Sequence, residues 1–298
     1  MDAVVLVGGF GTRLRPLTLT RPKQMLPVVD RPMIEHVVGR LGEQGITRAV
    51  LSLGYRPDAF EAAYPERRCA GVELFYAVEP QPLDTAGAIA FAARMADVQD
   101  TFVAVNGDVI SDFPLIDLLD AHRGSGAAAT IALTPVEDPS RYGVVVCDPD
   151  GRVQAFVEKP PADEAPSQWI NAGIYVIDPS VLELIPEDRP ASIERETFPA
   201  LVQKGLLYAV AHDGFWIDAG TPAAYLEAQI ALAGGTHIHS TAEIDPNARI
   251  TNSVIMAHVT VSADARIADS VLLPYSTVPA NAEIRRAIVT PDHHIATE

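Results

Sequence analysis

From Ile244 onward, aliphatic side chains return at steps of 6, 6 and 5: Ile244, Ile250, Ile255, then Val261, Ile267, Leu272, then Val278, Ile284, Val289, then Ile295. The register therefore repeats every 17 residues, and Asn247-Ala248-Arg249-Ile250 returns as Asp264-Ala265-Arg266-Ile267 and as Asn281-Ala282-Glu283-Ile284. Few folds accept such a hexad. It places one aliphatic side chain on each face of a three-sided coil, pointing inward, and predicts a parallel β-helix over residues 236–298.

Residues 1–232 follow a different rhythm. Ala3–Val7 is a short β-branched run that stops at glycines, as a buried parallel strand does. Pro32 can open a helix in which Met33, Ile34, Val37, Val38 and Leu41 share one face. Ala49–Leu53, Val72–Val78 and Thr101–Val105 read as further strands, with helical stretches at Thr85–Met95 and Pro114–His122. This alternation predicts a doubly wound α/β domain. Val144–Cys147 and Val153–Val157, joined through Asp150-Gly151, predict a hairpin. A strand at Ile170–Ile177 and a helix over Ile193–Gln203 complete the pattern.

The formal net charge of −17 excludes a nucleic-acid surface, which needs a basic face. It also means that an anionic substrate must meet a locally cationic pocket, so well-placed Lys and Arg carry information. Cys69 and Cys147 stand far apart and outside any metal-ligand spacing, as expected of isolated thiols in a cytoplasmic chain. No stretch reaches the ~20 apolar residues of a membrane span, and Asp2 with the short run Ala3–Val7 is unlike a signal peptide. The expectation is a cytoplasmic protein with no membrane or nucleic-acid partner.

Gly8-Gly9-Phe10-Gly11-Thr12-Arg13 fails as a dinucleotide fingerprint, since the third glycine would fall on Leu14. It fails as a Walker A loop too, having no Gly-Lys-Ser/Thr. What remains is a glycine loop after the first strand, with Arg13, Arg15 and Lys23 close by, a combination suited to polyphosphate. The alternative is a plain turn. Asp108 follows the apolar strand in Val-Asn-Gly-Asp, where α/β domains place ligands, and Asp218 lies in Trp-Ile-Asp-Ala-Gly. Two carboxylates from distant segments suit Mg²⁺, which takes few protein ligands; a turn Asp and a helix cap are the plainer readings. Glu158-Lys159 leaves an acid and a base at a strand end, either a surface ion pair or a holder for a sugar phosphate. Asn171-Ala172-Gly173 is a turn or a hydroxyl reader.

In this order, GGFGTRLRPLT, RPKQMLPV, VNGDVI, RYGVVV, FVEKP, INAGIYVIDPSVL and FWIDAGTP resemble the sugar-nucleotide pyrophosphorylase (nucleotidyltransferase) family over essentially the full chain. SRYGVVV, SIERETFPAL and NSVIMAHVTV are most similar to the GDP-mannose pyrophosphorylases, or mannose-1-phosphate guanylyltransferases. The resemblance implies a Rossmann-like catalytic domain followed by a short left-handed β-helix. It implies that Gly8, Gly9, Gly11 and Thr12 wrap the triphosphate of an NTP, with Arg13 and Lys23 catalytic. Glu79, Pro80 and Gly87 would contact base and ribose. Gly143, Glu158, Lys159 and Asn171 would hold the sugar 1-phosphate, with Lys159 also counted catalytic, and Asp108 and Asp218 would ligate Mg²⁺. Two places depart from the guanylyltransferase pattern. Leu83-Asp84-Thr85-Ala86-Gly87 stands where Leu-Gly-Thr-Ala-Gly is usual, and Gln24 is more similar to thymidylyltransferases.

The implied reaction is in-line attack of a sugar 1-phosphate oxygen on the α-phosphorus of GTP, with mannose 1-phosphate as acceptor and pyrophosphate released. Other bases (dTTP, ATP, UTP) and other acceptors (glucose, heptose or cyclitol phosphates) stay open. From another class, a non-catalytic regulatory subunit and a hexapeptide acyltransferase are the competing readings. A short β-helix has open edges that favour burial against a partner, so a homodimer or higher homo-oligomer is expected.

Overall fold

The computed structural model describes residues 1–297. Two units divide the chain: one holds Met1–Gly9 and Ile34–Trp216, the other Phe10–Met33 and the residues from Ile217 onward.

In the first unit, strands β1 (Asp2–Leu6), β2 (Arg48–Leu53), β3 (Val72–Val78) and β4 (Phe102–Asn106) run parallel in the order β3-β2-β1-β4. Ala3, Val4 and Val5 have no exposed surface, as the apolar run before the glycines predicts for a strand covered on both faces. Helices α1 (Met33–Glu43), α2 (Pro57–Ala63) and α3 (Asp84–Met95) connect the strands. Helix α1 starts one residue after Pro32, and Met33, Ile34, Val37, Val38 and Leu41 are all buried. Helix α3 buries Ala86, Ala88, Ala90, Ala92 and Ala93, and these small side chains let it lie close over β1 and β2.

After helix α4 (Leu115–Ser125) the sheet turns mixed. Strand β5 (Ala129–Pro135), the hairpin β6 (Gly143–Cys147) and β7 (Val153–Glu158), β8 (Trp169–Ile177) and β9 (Leu207–Ala211) extend it. The hairpin turn is built as expected: Gly151 takes φ 83°, and Asp148 Oδ1 accepts from the amides of Asp150 and Arg152 at 3.0 and 2.9 Å. Strand β8 runs antiparallel to both β4 and β5. It is the joint that fixes the acceptor-side residues to the parallel half of the sheet.

One expected element differs. Ile193–Gln203 is not a single α-helix but a π-helical turn, Ile193–Thr197, followed by α5 (Phe198–Gln203). Pro199 has no amide hydrogen to give to Arg195, and the turn widens so that Thr197 and Phe198 donate five residues back, to Ser192 and Ile193.

In the second unit, helix α6 (Pro222–Ala233) packs beside the β-helix. The coils stack in parallel: Ile250 pairs with Ile267 and Ile267 with Ile284, Val261 with Val278, Ile255 with Leu272. Each partner is the residue one repeat along, and these aliphatics form the unit's core. Asn252, Asp269 and Arg286 occupy equivalent corners with φ of 43, 49 and 46°. An inner serine column supports the stack, Ser253 Oγ accepting from Ser270 N at 3.1 Å and Ser270 Oγ from Ala287 N at 3.2 Å. Ile295, expected to begin another coil, instead pairs antiparallel with Ile288. The chain reverses at Thr290–His293, where the Thr290 hydroxyl accepts from the amides of Asp292 and His293.

Helix α6 also ties down the Phe10–Met33 segment. The Tyr225 hydroxyl and the Gln229 amide both donate to Pro27 O, and Gln229 Oε1 accepts from Val29 N at 2.7 Å. Tyr225 and Gln229 are fully buried.

Candidate active site

Gly8 follows β1, and a Cβ there would lie 2.9 Å from Glu79 Oε1, so the glycine is what admits the Glu79 carboxylate. Glu79 is held on all sides: its amide donates to Leu53 O at 2.8 Å, Oε1 accepts from Ser52 Oγ at 2.9 Å, and Oε2 accepts from Leu83 N at 3.2 Å. Two expected nucleotide residues are therefore neighbours. Gly9 and Pro80 are exposed beside them in sequence. Gly87 differs: it is buried in α3, its amide donates to Ala191 O, and Leu83 Cβ would lie 3.0 Å from an added Cβ. Its smallness serves the packing of the strip Leu83–Gly87 against Ala191. Asp84, where the guanylyltransferase pattern has glycine, takes φ 60°, which Gly adopts freely and Asp tolerates. The substitution keeps the backbone and adds an exposed carboxylate.

Asp108 is only 8% exposed, just after β4. The approach is close because a Cβ on Gly107 would sit 2.7 Å from Leu6 O. On the hairpin, Gly143 lies directly opposite Glu158. A Cβ at Gly143 would fall 2.5 Å from the Phe156 ring and 3.1 Å from Glu158 Oε2. Lys159 takes φ 50°, its amide donates to Tyr142 O at 2.9 Å, and its Nζ lies 3.1 Å from Glu158 Oε1. The Lys159 side chain is 55% exposed and Glu158 19%, so the cation faces outward from a carboxylate seated in the fold. Asn171 Oδ1 accepts from Gly173 N and Nδ2 donates to the Tyr175 hydroxyl, both at 3.0 Å. The Tyr175 phenol is raised well above its usual pKa, first by burial and then by the charges of Glu194, Glu158 and Asp108. That hydroxyl accepts from Asn171, which ties this expected residue to the core of the sheet.

Residues outside the sequence expectations frame this cluster. Trp216 Nε1 donates to Ala172 O at 2.8 Å, and its ring meets Tyr142 edge-on at 5.5 Å. Two buried hydroxyls act as supports, Ser52 for Glu79 and Tyr175 for Asn171. A hydroxyl inside an otherwise apolar run, Ala49–Leu53, was the available signal for Ser52; Tyr175 reads in sequence as one more apolar strand residue.

The second unit carries Gly11, Thr12, Arg13, Lys23 and Asp218. Gly11 is left-handed at φ 60°, and its carbonyl accepts from Leu14 N and Thr18 Oγ1 at 3.0 and 2.7 Å. An added Cβ would lie 2.9 Å from Thr18 and 3.4 Å from Lys23 Cβ, so the Lys23 stem runs along the glycine. Thr12 and Arg13 are exposed. The Arg13 guanidinium and the Asp218 carboxylate both press on Gly220, each 2.8 Å from where its Cβ would be. Beside Lys23, the Gln24 amide is 1% exposed, and neither of its polar atoms meets a hydrogen-bond partner among the described residues.

No group of three or more metal-capable side chains occurs among the described residues. Asp108 and Asp218 each offer hard carboxylate oxygens, the donor type that a hard divalent cation takes.

The family model for nucleotidyl transferases matches residues 2–234. The chain belongs to the nucleotidyl transferase family. A second model, the GlmU-like C-terminal hexapeptide, matches residues 230–298. Among its relatives, the mannose-1-phosphate guanyltransferase of Hypocrea jecorina is 46% identical over 232 residues, 76% of this chain and 62% of that protein. That of Gibberella zeae is 42% identical over 271 residues, 84% of this chain and 73% of that protein. The chain thus matches less than two thirds of the Hypocrea protein's length. Among solved structures, HddC from Yersinia pseudotuberculosis superposes with a TM-score of 0.67 at 28% identity, covering 78% of this chain and 99% of that one. The same protein complexed with GMP-PN gives 0.66. A UDP-glucose pyrophosphorylase, at 22% identity and a TM-score of 0.68, shares the fold. No helix among the described residues is long and apolar enough to cross a membrane.

Proposed function

We propose that this nucleotidyl transferase moves a nucleoside monophosphate from an NTP to a sugar 1-phosphate and releases pyrophosphate, with GTP and mannose 1-phosphate as the preferred pair. The observation that carries the reading is the hairpin cluster: Gly143 facing Glu158, Lys159 turned outward beside it, and Asn171 locked to Tyr175. A cation next to fixed hydroxyl acceptors suits a phosphorylated sugar. The guanine base and the mannose acceptor are supported by the names of the relatives and by the GMP-PN bound to HddC. Family models at 2–234 and 230–298 support a catalytic domain at 1–232 and a hexapeptide β-helix at 236–298.

The acceptor oxygen is already an anion at neutral pH, so the protein needs no general base. Its work is positioning and charge neutralisation. In the first unit, Gly8, Gly9, Glu79, Pro80 and Gly87 serve the nucleoside side. Lys159 holds the acceptor phosphate, while Glu158, Gly143 and Asn171 read sugar hydroxyls. In the second unit, Gly11 and Thr12 present amides to phosphate, and Arg13 and Lys23 offset the charge on the α-phosphate and the leaving pyrophosphate. Asp108 in the first unit and Asp218 in the second are the proposed carboxylate donors to Mg²⁺. When bound, the ion neutralises phosphate oxygens. A cytoplasmic setting is supported by the two free cysteines, Cys69 and Cys147, and a homo-oligomer by the open-edged coils.

The test is pyrophosphate release by the purified chain across five NTPs and several sugar 1-phosphates. GTP with mannose 1-phosphate is expected to exceed every other pair. Silence with all pairs would favour the regulatory-subunit reading, and light scattering at the assay concentration reports the oligomer.

A further inference from the structure

Thr85, Ser192 and Glu194 form a node of hydroxyls and carboxylate that the roles above do not use. Glu194 Oε2 accepts from Thr85 Oγ1 at 2.7 Å and from Ser192 Oγ at 2.9 Å. Thr85 Oγ1 in turn accepts from Ile193 N at 2.9 Å. Backbone bonds lace the same two segments: Ala86 N and Gly87 N donate to Ala191 O, and Ala191 N donates to Leu83 O. The residues that start α3 are thereby sewn to the π-helical turn, a widened turn of the kind that recurs at functional sites.

The backbone lacing alone suffices to pack the strip, so the charged side chain needs another reason. Its place makes that reason sharper. The turn that carries Glu194 runs directly into Phe198, whose ring meets Tyr175 edge-on at 5.3 Å. Glu194 Oε1 accepts no hydrogen bond from the described residues. Such a group is kept for what it positions. On one side it holds Thr85, within the strip proposed to contact base and ribose. On the other, its turn ends in Phe198, which packs on Tyr175, the hydroxyl to which Asn171, the proposed reader of the acceptor, is bound.

We propose that Glu194 is a positioning residue that couples the nucleoside strip Leu83–Gly87 to the acceptor floor at Asn171 and Tyr175, through its bonds to Thr85 and Ser192. The coupling rests on the substrate assignment made above. It predicts that losing the node weakens both substrates together, and that Thr85 and Glu194 act as one.

Steady-state kinetics of Glu194→Ala, Thr85→Val, the double variant and Thr85→Ser test it, with melting temperatures read alongside. Each of the first two is expected to raise KM for both the NTP and the sugar 1-phosphate by about tenfold, the scale of a hydrogen bond to a charged group. Turnover at saturation should stay within about threefold, the double variant should be no worse than the poorer single one, and Thr85→Ser should recover wild-type KM values. A fall in kcat with KM unchanged, additive losses, or a KM effect confined to one substrate would overturn the proposal. Melting-temperature shifts induced by the NTP and by the sugar phosphate, separately and together, read the same coupling without turnover. If the wild-type chain turns over no pair yet its two ligands stabilise it more than additively and Glu194→Ala does not, the activity assignment fails and the coupling stands. Additive ligand shifts in the wild-type chain sink the coupling itself.

Discussion

The hairpin that carries Gly143, Glu158 and Lys159 and the segment that carries Gly11, Arg13 and Lys23 hold their functional groups by opposite means. On the hairpin each residue has a ladder position: Gly143 faces Glu158 across an antiparallel pair, and Lys159 is pinned through its own amide. The proposed phosphate segment has almost no ladder. It is a chain of short turns closed on Gly11 O and anchored at Pro27 and Val29 by Tyr225 and Gln229, some 200 residues away in sequence. Ladders fix side chains locally, whereas turns borrow rigidity from distant side chains. The phosphate segment should therefore yield more easily to substitutions at its anchors than the hairpin does.

The largest effects test the two ends of this contrast directly. Lys159→Ala and Arg13→Ala should each lower kcat/KM by ~10²–10³, the range for losing one preorganised charge-stabilising group. The hairpin variant should lose mainly sugar-phosphate KM and the loop variant mainly kcat. Either retaining near-wild-type kcat/KM would remove that residue from the site. Next in size is Gly143→Ala, whose Cβ would enter the Phe156 ring at 2.5 Å. Overpacking of that kind costs about 1–3 kcal/mol in urea unfolding. A neutral outcome would show the hairpin to be as compliant as the loop. Gln24→Met runs the other way. Removing a fully buried amide with no partner should raise stability by up to ~1–3 kcal/mol, and a loss instead would mean that the amide is satisfied in solution.

The smallest effect lies outside both regions. His122 is buried in α4, 3.0 Å from Thr130 Oγ1, and desolvation holds its pKa below the usual value, opposed by Asp178 and reinforced by Arg123. The unfolded chain therefore binds this proton at a higher pH than the folded one. Stability from this group is complete above roughly pH 6.5, the ordinary histidine value, and declines as pH falls from there toward the folded value. Urea midpoints at pH 7.5 and 5.5 should differ more for wild type than for His122→Gln.

The contrast also explains what the sequence made legible. Apolar runs and glycine signals locate β1, the hairpin and β8 because each is a local pattern; Asp150-Gly151 even places the turn. The 17-residue register of the coils was readable for the same reason, since Ile250, Ile267 and Ile284 repeat the same environment. Three features were hidden. The π-helical turn depends on one missing amide hydrogen at Pro199, which does not disturb an apolar periodicity. The packing of Gly87 against Leu83 and Ala191 is a relation across about 100 residues of sequence that the glycine signal does not announce. The node at Glu194 joins Thr85 to Ser192 across a similar gap, and no spacing within either segment announces it.

A stack of identical coils carries no internal instruction to stop, since each rung offers its amides and carbonyls to the next. Here the last rung, Ala287–Val289, meets the returning strand His294–Ala296 head to tail. That reversal spends this rung's outward bonds on the chain itself, on one of the three faces, while Thr277–Val278 and Glu283–Arg285 end the other two without such a partner among the described residues. The turn at Thr290–His293 thus makes the three faces unequal: one rung meets its own chain in reverse, and the other two keep the parallel edge of the stack.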